Sequence, residues 1–183
     1  HLVGSRNSES ADHVLHIRLL TELLLRELQG KSGYYRLRES EIVRIGTASA
    51  LHDIGKMQIP RAILNKPGPL TPEEWEVMKT HTLAGEKLLQ ELRPQQDEAL
   101  VQMARQICRW HHERWDGSGY PDGMKGENIP IAAQVVALAD VYDALTSQRC
   151  YKAAVRHEKA VQMILEGACG AFNPLLLDCL RSL

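Results

Sequence analysis

Apolar residues recur at helical spacing almost from end to end of this chain, and that periodicity leaves few folds open. Between Ser8 and Leu28, the residues Val14, Ile17, Leu20, Leu24 and Leu28 follow steps of three and four, which places them on one helix face. Gly30 and Gly33 interrupt the pattern. A second helix is predicted from about Arg38 to Asp53, with Ile42, Ile45 and Leu51 on its apolar face and Gly55 and Pro60 ending it. Arg61 to Pro69 reads as a connector with a turn. In "LTPEEWEVMKTH", Thr71 is an N-cap, Pro72 takes the first helical position, and Glu73 and Glu74 lie in the first turn, where the helix dipole favours negative charge. Further helices are predicted from about Thr80 to Leu92, from Gln96 to His111, and from Pro130 to Thr146, with two shorter ones at the C-terminal end. No strand run, repeat or low-complexity segment is visible. The expectation is an all-α helical bundle, with a small hairpin or a loop in the glycine-dense stretch Gly117–Gly126.

The 183 residues, 44% of them hydrophobic, suffice for one compact domain with its own core, spanning 1–183. Because the chain opens on His1, it is read as a piece of a longer signalling protein. The longest apolar stretch, Leu19 to Leu28, is broken by Thr21, Glu22, Arg26 and Glu27, so no membrane span is expected. A net charge of −1 argues against broad nucleic-acid binding but leaves room for a small anionic ligand held by local cations. Cys108, Cys150, Cys169 and Cys179 form no CxxC pair and read as reduced thiols of a cytoplasmic protein.

Function has to come from clusters of polar residues. Glu9 and His13 in "ESADH" share a helix face. His52 and Asp53 in "LHDIGK" are adjacent, with Lys56 just beyond Gly55. His81 stands near the start of a helix, His111 and His112 at the end of another. Asp140, in "VVALADVYDAL", is surrounded by apolar residues, and Asp143 follows one turn later. Singly, each has an ordinary explanation: an exposed helix pair, a satisfied buried carboxylate, a solvated lysine. Together, five histidines, two aspartates and a glutamate spread over five helices can meet in one cavity of a bundle. Imidazole and carboxylate without thiolate suit divalent Fe, Mn, Ni or Zn. Eight candidates exceed the needs of one ion, and a carboxylate such as Asp53 can bridge two. A cluster of two or three metals lowers the pKa of a bound water and clamps a phosphoryl centre during in-line attack.

The His52-Asp53 doublet followed by "IGK" resembles the HD superfamily of metal-dependent phosphohydrolases, and "HHERWDGSGYP" narrows the resemblance to the HD-GYP subgroup, the cyclic di-GMP phosphodiesterases. The likeness runs from about Glu9 to Lys152. It implies a helical bundle with two or three divalent ions at its centre, Fe or Mn favoured and Ni or Zn also accepted. It implies that His13, His52, Asp53 and Asp140 hold one metal. Asp53 then bridges to a second metal on His81, His111 and His112, and Glu9 matches the carboxylate of a third. Lys56 matches a lysine that contacts the scissile phosphate and assists proton transfer. Arg149 and Lys152 match a cationic pair that holds the substrate phosphates and guanine. The implied reaction is hydrolysis of cyclic di-GMP to pGpG and, with a third metal, on to GMP. A low-activity nucleotide-binding or partner-docking module, or a phosphodiesterase for hybrid cyclic GMP-AMP, are the alternatives.

Some positions depart from that family pattern. "ESADH" replaces "ETGxH", His16 stands where arginine is common, Cys150 replaces a frequent proline, and Ala171 and Asn173 differ in "GAFNP". None of these removes a ligand. In "DGSGYPDG", glycine permits close backbone approach and Pro121 stiffens the turn. Gly119, Tyr120 and Pro121 therefore read either as a helix-ending turn with Tyr120 packed on the bundle, or as a rigid lip of the site where Tyr120 meets substrate. The resemblance also links this loop to diguanylate cyclase (GGDEF) domains as partners.

Overall fold

The computed structural model describes residues 11–91, 97–147 and 154–183. The helices are α1 (Ala11–Lys31), α2 (Glu39–Ser49), α3 (Arg61–Leu64), α4 (Pro72–Lys79), α5 (His81–Gln90), α6 (Glu98–Trp110), α7 (Ile131–Thr146), α8 (His157–Leu165) and α9 (Pro174–Leu180), with 3-10 turns at Ile54–Gln58 and Gly126–Asn128. Among the described residues there is no strand, so the all-α expectation holds and the glycine-dense stretch is a loop rather than a hairpin.

Helix α7 organises the bundle. Ala132 to Ala139 are all buried, as are Val141, Ala144 and Leu145, so this helix is apolar around nearly its whole circumference. Such a helix is stable only when enclosed. It is flanked by α1, α6 and α8, while α2 packs against α1 and α6, and α5 against α6. Ile17, Leu24, Leu25 and Leu28 of α1, Ile42 and Ile45 of α2, and Ile107 of α6 meet α7 in one continuous core. Side chains of this size each contribute roughly 1.5–3 kcal/mol on burial.

The start of α4 is as predicted. Thr71 accepts from the Glu74 amide at 3.2 Å, and the Glu74 carboxylate accepts from the Thr71 amide at 2.7 Å. The end of α2 is not. The helix stops at Ser49, and the chain changes to tighter i→i+3 bonds, from the amides of Leu51, His52 and Ile54 to the carbonyls of Ala48, Ser49 and Leu51. His52 and Asp53 therefore sit in a tight turn rather than on a helix. The cause lies at Gly55, where a Cβ would collide with the His81 carbonyl and with Gly85 of α5. Backbone contact there sets the turn directly against the first turn of α5, so that His52, Asp53 and His81 share one locality. The predicted connector after Pro60 contains the one-turn helix α3.

Candidate metal centre

Five elements deliver the candidate ligands to one place. One ligand atom from each of Asp53, His81, His111 and His112 lies within 4.8 Å of the others, and the same is true of His13, His52 and Asp140. The two groups adjoin at Asp53. Its Oδ1 is 3.1 Å from His81 Nε2 and 3.6 Å from His111 Nε2, and its Oδ2 is 3.4 Å from His52 Nε2. His13 Nε2 faces Asp140 Oδ1 at 3.9 Å. Every described candidate is thus brought into the cluster. Glu9, Arg149 and Lys152 lie outside the described residues, as does Cys150.

The imidazoles are oriented for ligation. His52 Nδ1 donates to the Ser49 carbonyl at 2.8 Å, His81 Nδ1 to Met78 at 2.7 Å, and His111 Nδ1 to Ile107 at 2.9 Å. In each case the acceptor lies three or four residues upstream, so the turn that ends or begins a helix also fixes the tautomer. The proton is held on Nδ1 and the Nε2 lone pair points into the cluster. Burial holds His111 below its ordinary pKa and His112 well below, with neighbouring histidines adding to the effect. Both shifts favour the neutral imidazole, the form that can bind a cation. Burial alone would raise the Asp53 pKa, but the Lys56 ammonium beside it prevails and keeps it well below the carboxylate range. Lys56 Nζ donates to Asp53 Oδ2.

Asp53 Oδ1, His81 Nε2 and His111 Nε2 are buried and make no hydrogen bond among the described residues. A native structure rarely tolerates several such atoms side by side. An anionic carboxylate and neutral imidazoles converging on one point are the donor set of a borderline divalent cation, and their chemistry fits a metal centre.

Two carboxylates that the sequence did not reveal as functional complete the site. Asp143, buried one turn after Asp140, accepts from His13 Nδ1 at 2.6 Å, from His16 Nδ1 at 3.0 Å and from the Ser147 hydroxyl at 2.8 Å. His16 is therefore tied to the carboxylate that orients His13, and its ring stays half exposed. Glu113, buried directly after the histidine pair, accepts the amides of Asp122 at 2.7 Å and Met124 at 2.9 Å. An acid one residue past "HH" and a second acid on the helix face of Asp140 were the only available signals.

Glu113 holds the glycine loop in place. Gly119 rests on the backbone of His112, Glu113 and Arg114 so closely that no Cβ would fit. The Tyr120 amide donates to the His112 carbonyl at 3.2 Å, and the Tyr120 ring stacks on the His112 ring at 4.8 Å between centroids. Trp75 meets Tyr120 edge-on, and Lys79 Nζ lies 5.7 Å from its centroid. The Tyr120-Pro121 peptide is cis. Asn173 caps α9 through the Leu175 amide and donates to Gln134, so the departure at this position has a structural role.

A family model described as "HD domain" matches residues 33–174, and the chain belongs to the HD-domain family. It is 40% identical over 179 residues to a cyclic di-GMP phosphodiesterase of Vibrio cholerae, covering 97% of this chain and 36% of that protein. It is 38% identical over 178 residues to a 3'3'-cGAMP-specific phosphodiesterase of the same organism, covering 97% of this chain and 32% of that protein. The chain thus spans about a third of the length of these relatives. The fold matches that of an HDG"Y"P protein from Bdellovibrio bacteriovorus with a TM-score of 0.65 at 21% identity, over 96% of this chain and 54% of that one.

Proposed function

We propose that this chain is the catalytic domain of a longer signalling protein and hydrolyses cyclic di-GMP. The observation that carries the reading is the convergence of buried Asp53 Oδ1, His81 Nε2 and His111 Nε2 on one point in an HD-family bundle. In this reading His81, His111 and His112 would hold one divalent ion and His13, His52 and Asp140 a second, with Asp53 shared between them and Glu9 available for a third. Fe or Mn is favoured, Ni or Zn accepted. The bound ions supply Lewis acidity at the phosphoryl oxygens and lower the pKa of water at the site.

The chain's own residues do the rest. Asp53 stays ionised because Lys56 sits beside it. Lys56 Nζ, partly exposed at the edge of the cluster, provides a cation for the scissile phosphate and a proton for the leaving 3′-oxygen. The loop Gly119-Tyr120-Pro121 forms a fixed lip, with Tyr120 against His112 positioned to meet substrate. Arg149 and Lys152 hold the outer phosphates and guanine. The first product is pGpG, and GMP would follow if Glu9 held a third ion. A cytoplasmic location is part of this reading, in keeping with four cysteines that form no CxxC pair. No helix among the described residues is long and apolar enough to cross a membrane. Diguanylate cyclase domains are proposed partners of the loop.

A 3'3'-cGAMP-specific relative at 38% identity keeps hybrid cyclic GMP-AMP as a second substrate reading. The test is metal-loaded protein incubated with each cyclic dinucleotide, with products separated by chromatography. Conversion of cyclic di-GMP to pGpG or GMP in preference to the hybrid supports the first reading, and the reverse preference supports the second. Tight binding without turnover by folded, Fe(II)- or Mn(II)-loaded protein would show a binding module instead.

A further inference from the structure

His13 is held differently from other imidazoles of the cluster. The Nδ1 protons of His52, His81 and His111 go to carbonyls of their own turns. That of His13 goes to a side chain on another helix, the Asp143 carboxylate of α7. A backbone carbonyl is fixed by its turn. A carboxylate turns about its Cβ–Cγ bond, so its bearing on His13 depends on what grips its second oxygen. Two donors do so, the Ser147 hydroxyl at 2.8 Å and His16 Nδ1 at 3.0 Å. Ser147 caps the end of α7 and ties the carboxylate to its own helix. His16 stands one turn after His13 on the same face of α1, and ties the carboxylate to the helix that carries the ligand.

One carboxylate thus accepts from two histidines of α1, Oδ2 from His13 and Oδ1 from His16. Two bonds on one planar group set an orientation that a single bond leaves open. The spacing on α7 matches that on α1. Asp140 and Asp143, also one turn apart, face the two ring nitrogens of His13, Asp140 at Nε2 and Asp143 at Nδ1. The Asp143 side chain is 4% exposed and that of His16 54%, so the clasp closes at the rim of the cluster and His16 can be replaced without opening the core. We infer that His16 is a positioning residue. Through Asp143 it holds His13 in the tautomer and orientation that present Nε2 to a divalent ion. It therefore governs the affinity of the group His13, His52 and Asp140, and not that of His81, His111 and His112. The inference rests on the metal-centre reading above.

Proton–nitrogen correlation spectra of the metal-free chain, taken at alkaline pH with the imidazoles neutral, report which nitrogen of His13 carries the proton. Wild type should show the Nδ1–H form and His16→Ala a mixture of the two. His16→Asn, whose amide NH2 can stand where Nδ1 stood, should restore the wild-type signal. His16→Gln, whose amide reaches only the place of Nε2, should not. Calorimetric titration with Mn(II) should show one class of site weakened about tenfold in His16→Ala and His16→Gln, the lower end of the range for groups that orient a ligand. The other class should be unchanged, and His16→Asn should stay close to wild type. An unchanged His13 tautomer in His16→Ala, equal weakening of both classes of site, or rescue by asparagine and glutamine alike would each overturn the inference. A wild-type chain that shows the His16-dependent tautomer but takes up no Mn(II) would overturn the metal-centre reading, and the claim on affinity with it.

Discussion

Asp143 Oδ2 lies 2.6 Å from His13 Nδ1, which joins α7 to α1 across 130 residues of sequence and turns the other nitrogen of His13 towards Asp140. Asp143 is held below its ordinary pKa: burial opposes ionisation, but the hydrogen bonds from His13, Ser147 and His16 prevail. Asp143→Ala is predicted to weaken one metal site by roughly 10- to 100-fold while the others keep their ions. Asp143→Asn should lie between, since its amide oxygen still accepts from His13. Calorimetric titration of metal into apo protein would check this, and an unchanged affinity for every ion would contradict it.

Glu113 takes the place of water at two loop amides, so Glu113→Ala removes the carboxylate that the Asp122 and Met124 amides donate to. A loss of about 1–3 kcal/mol in urea unfolding is predicted, on the order of 0.5–1.5 kcal/mol per lost hydrogen bond. Because the loop carries Tyr120 to the site, kcat should also fall with the metal content retained. A variant that unfolds at the wild-type midpoint would refute this role.

The loop has a second tether. Arg109 donates to Asp122 at 2.8 and 2.9 Å and to Glu86 of α5 at 2.5 Å. The hydrogen bonds from Arg109, and then from the Trp110 indole, hold the Asp122 carboxyl below its usual pKa. A carboxyl depressed by folding stabilises the fold above its unfolded pKa of about 3.9 and loses that contribution as the pH falls through the lower folded value. Urea midpoints of wild type and Asp122→Asn should differ at pH 6 and converge as the pH falls through the lowered folded value. A gap that persists at low pH would assign the effect to something other than this ionisation.

Removing metal should cost stability. Among the described residues, Asp53 Oδ1, His81 Nε2 and His111 Nε2 have no hydrogen bond to replace an ion. Metal at a hundredfold excess over its dissociation constant should stabilise the fold by about 2.7 kcal/mol per site. A thermal melt with and without chelator measures this, and identical melting temperatures would show that the cluster binds no ion.

The elements most legible in the sequence were those set by local chemistry. Thr71, Pro72 and Glu74 announce α4 because a cap is made within four residues. The "HD" and "HH" patterns announced the candidate ligands because their identities are written in the chain. The end of α2 was misplaced because Gly55 packs on α5, a contact no local pattern encodes. Asp143 and Glu113 were passed over for a similar reason. Asp143 acquires its role only when α7 meets α1, and Glu113 only when the loop folds back over it. Arg149, Lys152 and Glu9 lie outside the described residues, so their proposed roles still rest on the sequence.

The central claim is that Asp53 joins two groups of histidines into one multinuclear metal centre. Its most direct test is the metal content of chain reconstituted anaerobically with Fe(II) or Mn(II) and freed of excess ion, read by mass spectrometry beside Asp53→Asn. At least two ions per wild-type chain are predicted, as a bridged pair requires, with a marked loss in the variant. Fewer than one ion per folded wild-type chain, or equal content in the two proteins, would contradict it.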